Sequence, residues 1–308
     1  FVCSGKERIC MDRVILWIIL AAVSGGSVAP FAKFALEIFP PFTLIVIRFF
    51  AASLALLPFV YFNKELNLKI FKNLLWMAVV GSFNPILLCI ALQFTPASVS
   101  PLIYAAIPLM TAVYFQLFRN IRIPAERVLG IVVGFSGVAI IILLLLFQRG
   151  GVDIKSRGGN LLILGAAIAF MIYGILSSAK QQQYQISPLA LTFYLSVVTL
   201  VLAITIAAFE LARHPLALSA IRLAHILSGL ETGIIGTALF YIAYQKAIQH
   251  GNELTASLFT YLQPIATIVF AVLLIGEKIT VPFLVGGTLA ILGAQMASVK
   301  KPVLIQSR

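Results

Sequence analysis

Three side chains interrupt long apolar runs and mark where chemistry is to be expected: Arg48, Asn84 and Glu231. A polar or ionised group at membrane depth is expensive unless paired or hydrated, so each calls for a partner, a cavity or a solute. Arg48 fits an orienting arginine bonded to backbone carbonyls, or a contact for a solute. Glu231 enters its run at a similar depth, where it could pair with Arg48, exchange a proton during a cycle, or line a vestibule. Glu277 follows a later run, beside Lys278, and reads as a loop or interface carboxylate.

Asn84 precedes Pro85, and a mid-helix proline removes one intrahelical hydrogen bond and frees carbonyls. A kink beside an amide suits a binding site, or equally a packing kink whose amide bonds a neighbouring helix. The theme recurs with Tyr104 before Pro108, with Tyr261 and Gln263 before Pro264, and with Gly25 and Gly26 before Pro30. Aromatic hydroxyls and an amide can orient a ligand while the rings supply apolar contact. The candidate solute-binding set is Trp17, Ser24, Asn84, Tyr104, Tyr173, Tyr241 and Gln263, with Pro30, Pro85, Pro108 and Pro264 shaping the helices. Arg48, Glu231 and Glu277 are the candidates for coupling or structural charge. The set mixes amides, hydroxyls and aromatics with little formal charge, which suits a neutral or zwitterionic solute such as an amino acid.

The elements that must hold these residues follow from composition. The 308 residues are 61% hydrophobic and only 10% charged, where a soluble chain carries about a quarter charged residues. Apolar stretches can be placed at roughly 14–36, 40–62, 72–93, 96–118, 125–147, 158–180, 188–211, 225–249, 252–275 and 279–299, each of the ~20-residue length that spans hydrocarbon. The expected fold is an all-α integral membrane protein of ten transmembrane helices. No room remains for a soluble catalytic or nucleic-acid-binding domain. The net charge of +12 lies in loops and termini, where it orients the chain in the lipid bilayer rather than recruiting nucleic acid. With the N-terminus inside, fourteen Lys and Arg fall on the inner side and seven on the outer, so both termini are expected in the cytoplasm. Residues before Met11 read as a start-site extension.

Enzyme chemistry has no foothold. Metalloprotease, phosphate-loop and nucleophile-elbow motifs are absent, and His214, His225 and His250 do not cluster with carboxylates or cysteines, so no metal and no cofactor are expected. Cys3, Cys10 and Cys89 are too scattered for a disulfide framework.

Sliding the chain by 156 positions aligns Pro108 with Pro264, Thr111 with Thr267, Gly130 with Gly286 and Gly137 with Gly293; a slide of 147 aligns Lys33 with Lys180 and Pro41 with Pro188. Five helices repeated once would leave the halves in opposite orientations, an architecture of secondary transporters with the solute near the midplane. The expected organisation is a leader at 1–13, a first repeat at 14–147, a second at 158–299 and a tail at 300–308. Gly130 with Gly134, Gly286 with Ala290, and Gly229 with Gly233 form small-residue seams that join halves or protomers, which leaves a homodimer open.

Trp17, Pro41 with Arg48, Pro108 and Gly137 in the first half, and Tyr261-Leu-Gln-Pro264, Gly276-Glu277, Gly286 and Gly293 in the second, follow one another as in a known family. The chain resembles the EamA-like branch of the drug/metabolite transporter superfamily from Trp17 to about Ser298. One departure is Asn120-Ile121, where the family often has an acidic residue. The resemblance implies a ten-helix exporter or permease for small metabolites in a bacterial inner membrane, with a cavity lined mainly by helices 1, 3, 4, 6, 8 and 9. The alternative is a non-transporting or pore-forming subunit acting through a protein partner. A pore calls for a ring of charged or carbonyl-rich residues, and no segment of that kind is evident.

Overall fold

The computed structural model describes residues 5–95, 97, 100–148, 155–213, 215–216, 218–275, 281–298 and 304–305. Its helices are α1 (Gly5–Ala35), α2 (Pro41–Phe62), α3 (Leu68–Phe94), α4 (Ser100–Tyr104), α5 (Ile107–Phe118), α6 (Ala125–Gln148), α7 (Lys155–Tyr184), α8 (Pro188–Arg213), α9 (Leu223–Gly233), α10 (Phe240–His250), α11 (Glu253–Ala256), α12 (Phe259–Ile275) and α13 (Val281–Ser298). A six-residue π-helical segment, Ile234–Leu239, joins α9 to α10. A two-residue pairing of Ile121 with Ile305 and Arg122 with Leu304 is the strand structure among the described residues.

Six helical stretches among the described residues are long and apolar enough to cross a membrane: Arg13–Ala35, Pro41–Phe62, Leu68–Phe94, Gly158–Tyr184, Pro188–Arg213 and Leu223–His250. Shorter apolar helices run over Ile107–Phe118 and Val285–Ala297. Two stretches expected as single spans are divided. The run at 96–118 breaks after Tyr104, and α5 starts at Ile107, so Pro108 sits in a first helical turn rather than at a mid-helix kink. Proline is tolerated there because its missing N–H would have had no partner. The run at 252–275 divides into α11, a turn at Ser257 and Leu258, and α12. Asn252 starts α11 by accepting from Thr255 N and Thr255 Oγ1 at 2.8 and 3.0 Å.

Leu16, Leu54, Phe59, Leu161, Val201 and Phe209 are all exposed, which suits hydrocarbon as solvent, while many buried polar side chains find partners inside. Ser82 and Thr199 hydroxyls meet at 2.7 Å between α3 and α8. The Lys33 ammonium donates to the carbonyls of Leu92 and Thr95 at 2.7 and 3.2 Å, placing a cation on the negative C-terminal end of α3. Glu210 on α8 accepts from Phe42 N, Thr43 N and Thr43 Oγ1 at 3.3, 2.9 and 3.1 Å, capping α2 from another helix.

The most extensive helix pairs are α6 with α13, α3 with α7, and α2 with α8; α1 packs on α10, α9 and α12. Glycine makes the first pair possible. A Cβ on Gly293 would fall against the backbone of Gly134, and one on Gly137 would lie 2.5 Å from Ala290 N. The small-residue seams of α6 and α13 thus meet each other within one chain. Gly229 and Gly233 pack against Ile47, Arg48 and Ala51 of α2.

Candidate functional site

A cavity of about 30 Å³, room for roughly one water, lies where α1, α2, α3, α4, α7, the π segment, α10 and α12 converge. Its polar lining is Arg48, Asn84, Ser100, Tyr104, Tyr241 and Gln263; Phe170, Phe240 and Phe259 supply the aromatic wall.

Arg48 is held by the π segment. Its Nε donates to Thr237 Oγ1 at 2.5 Å and its Nη2 to the Gly236 carbonyl at 3.1 Å. Widening a helix to the π form shifts its backbone register and frees carbonyls, and here the arginine takes one of them. Nη1 of Arg48 is buried and has no hydrogen-bond partner. Arg48 therefore bonds to the backbone and lines the cavity at once. It does not bond to Glu231, whose Oε2 is also buried and unpartnered.

Asn84 ties four helices together. Its Nδ2 donates to the Tyr104 hydroxyl and to Ala166 O at 3.0 Å, and the Tyr241 hydroxyl donates to its Oδ1 at 3.3 Å. Pro85 follows it inside α3, so kink and amide occur together. Gln263, beside Pro264 in α12, donates from Nε2 to Gly25 O at 3.0 Å, and its Oε1 is buried without a partner. Gly25 and Gly26 admit this approach: a Cβ on Gly26 would sit 2.7 Å from Ala266 Cβ and 3.0 Å from Gln263 O.

Asn84, Tyr104, Tyr241 and Gln263 thus come together at one cavity with Arg48. Three other expected residues stand apart from its lining. Trp17 packs against the apolar core. Ser24 turns its hydroxyl back onto Leu20 O at 2.6 Å in its own helix. Tyr173 is fully buried beside Gly81, where a Cβ would lie 2.6 Å from its ring, and its hydroxyl has no partner. Pro30 lies within α1, directly after Ala29 of the lining, and is not itself part of that lining. Glu277 falls outside the described residues. Sequence reasoning missed the wall of Phe170, Phe240 and Phe259, because a phenylalanine in an apolar run carries no signal of its own.

With Tyr244 these three rings form one aromatic cluster. Phe170 and Tyr244 rings lie 4.7 Å apart, Phe240 and Phe259 5.3 Å, and Tyr244 and Phe259 5.7 Å. Nearer the end of the bundle where α5, α6, α7 and α11 meet is a larger cavity of about 390 Å³, whose polar lining includes Arg119, Arg127, Ser178, Gln182 and Asn252. Arg127 there donates to Thr255 Oγ1 at 2.6 Å, and its Nε is buried without a partner.

Residues 12–143 and 157–299 match the EamA-like transporter family, once in each half. The chain is 26% identical over 263 residues to an uncharacterized transporter of Clostridium kluyveri, covering 82% of each. It is 23% identical over 260 residues to the uncharacterized inner membrane transporter YedA of Escherichia coli K12, covering 83% of this chain and 80% of that one. Similarity also extends to an S-adenosylmethionine uptake transporter of Rickettsia felis, 26% identical over 198 residues, 62% of this chain and 63% of that one. Among solved structures, one crystal structure matches with a TM-score of 0.71 at 15% identity, over 94% of this chain and 96% of that one, a likeness of fold.

Proposed function

This chain belongs to the EamA-like transporter family, and from that premise we propose that it carries a small zwitterionic metabolite of the amino-acid class across a bacterial inner membrane, as an exporter or permease working by alternating access. One observation carries the substrate class. The central cavity presents two buried polar atoms left open in opposite senses: Nη1 of Arg48, a cationic donor, and Oε1 of Gln263, an acceptor. A carboxylate satisfies the first, with the charge-assisted geometry guanidinium favours, and an ammonium donates to the second. Asn84, Tyr104 and Tyr241 add exchangeable hydrogen bonds between them. The Rickettsia felis relative is named for uptake of S-adenosylmethionine, a molecule that itself carries an amino-acid head.

Support for two inverted five-helix repeats comes from the packing. Number the ten spans with α4–α5, α9–α10 and α11–α12 each as one. Exchanging the halves then turns the pairing of spans three and six (α3 with α7) into that of eight and one (α10 with α1), and leaves spans two with seven and five with ten as they are. A solute does not fit the 30 Å³ cavity as it stands, so the plug of Phe170, Phe240, Tyr244 and Phe259 must open toward the larger cavity. The positive charge count supports a cytoplasmic position for that end, with both termini.

The test is counterflow. Proteoliposomes preloaded with mixed amino acids and related metabolites exchange one or a few of them, identified by mass spectrometry, and Gln263→Ala weakens the exchange. Absence of exchange for every solute, with correctly inserted protein, overturns the reading.

A further inference from the structure

We propose that Glu253 is a proton-binding site that latches the cytoplasmic gate: its carboxyl group is neutral while the gate is closed and gives its proton to vestibule water as the gate opens. The inference rests on the transporter reading above and adds to it the coupling ion and the residue that carries it.

Glu253 opens α11, at the start of the ninth span as numbered above, and its side chain is fully buried. Its two carboxyl oxygens lie 2.9 and 2.8 Å from one group, the Tyr244 hydroxyl. Hydrogen-bond counting decides between protonation states. A carboxylic acid and a phenol have one proton each, and with both oxygens in reach of the hydroxyl each can donate to the other. A carboxylate would have about four lone-pair directions and, among the described side chains, one donor, which is a costly place for a charge.

Among the described residues no cation pairs with it. Tyr244 on α10 contacts the carboxyl directly; Tyr173 on α7 and Tyr241 on α10 lie further along, and α10 also carries Lys246 and His250. Arg127 on α6 is engaged with Thr255, two residues beyond Glu253. Among the described residues only Tyr244 hydrogen-bonds the carboxyl. Gly174 on α7 makes the room: a Cβ there would fall against the Tyr244 hydroxyl and lie 2.5 Å from Glu253 Oε1.

Position makes this pair a latch. The Tyr244 ring belongs to the aromatic cluster proposed above as the plug, and the residues flanking Glu253, Asn252 and Leu254, line the 390 Å³ vestibule. Glu253 is thus one residue in sequence from the vestibule lining. On opening, the carboxyl O–H breaks with its electron pair retained on oxygen, and the proton passes to water as hydronium. The carboxylate then needs donors that only hydration, or the free Nε of Arg127, can supply. Loading a proton reverses the step and draws Tyr244 back.

Two measurements test this. In infrared difference spectra of purified wild type minus Glu253→Gln, a protonated-carboxyl C=O stretch is expected at neutral pH and should vanish on alkaline titration. In proteoliposomes, Glu253→Gln should keep solute exchange and lose accumulation driven by a pH gradient. Tyr244→Phe, which keeps the ring, should move the infrared titration to higher pH, and serves where the glutamine variant does not fold. An ionised Glu253 at neutral pH, or full gradient-driven accumulation in Glu253→Gln, overturns the proposal. Failure of wild type to exchange any solute would refute transport, while the infrared titration still decides the proton site.

Discussion

Replacing Asn84 by alanine probes the solute site and the packing together, and the two effects have different sizes. The side chain makes three bonds that join α3 to α4, α7 and α10. Interhelical hydrogen bonds in membrane proteins average about 0.6 kcal/mol, so losing all three would remove about 2 kcal/mol. The adjoining 30 Å³ cavity and the volume vacated by the side chain admit water, which replaces part of that, leaving about 1 kcal/mol of lost stability. If the amide also bonds the solute, losing that bond removes about another 1 kcal/mol of binding, a five- to tenfold rise in half-saturation. Thermal unfolding reads the first quantity and concentration-dependent counterflow the second. A half-saturation changed by less than about twofold, or below ~0.4 kcal/mol, together with the stability loss would refute the binding role and leave Asn84 as a packing residue.

Gly293→Ala should destabilise by about 1–3 kcal/mol, because the new methyl meets backbone of Gly134 and Gly130, which cannot rotate away; thermal unfolding in detergent checks it. Glu210→Ala should remove about 1 kcal/mol by uncapping α2, and a similar unfolding midpoint to wild type would contradict the cap. If Glu253 is the neutral acid proposed above, paired with Tyr244, it binds its proton more tightly folded than unfolded, so that contribution to stability is present at low pH and is lost as pH rises. Wild type should therefore weaken with rising pH more than Glu253→Gln, measured as unfolding midpoint against pH; parallel profiles would exclude a buried neutral acid.

Several of these features could be read from residue order. The apolar runs, the amide-proline pairs at Asn84 and Gln263, and the glycine seams of α6 and α13 are local patterns with local causes. Others depend on partners distant in sequence. Arg48 is explained by Gly236 and Thr237, which meet it only because the chain widens into a π segment, and an apolar run such as Ile234–Leu239 does not announce that change. Glu253 lies at the start of the run at 252–275, where nothing in residue order marks it as a buried acid; the room for it comes from Gly174 in another helix. Asn120, beside the point where the resemblance expects an acid, has a φ of 50°, a left-handed conformation asparagine tolerates well.

Alternating access through the central cavity is tested most directly by thiol accessibility at Ala29, which lines it. With Cys3, Cys10 and Cys89 replaced and Ala29→Cys introduced, a membrane-impermeant thiol reagent is applied to vesicles of each orientation. The account predicts labelling from both sides, slowed from both by the exchanged solute. Labelling from one side only, unaffected by solute, would contradict it.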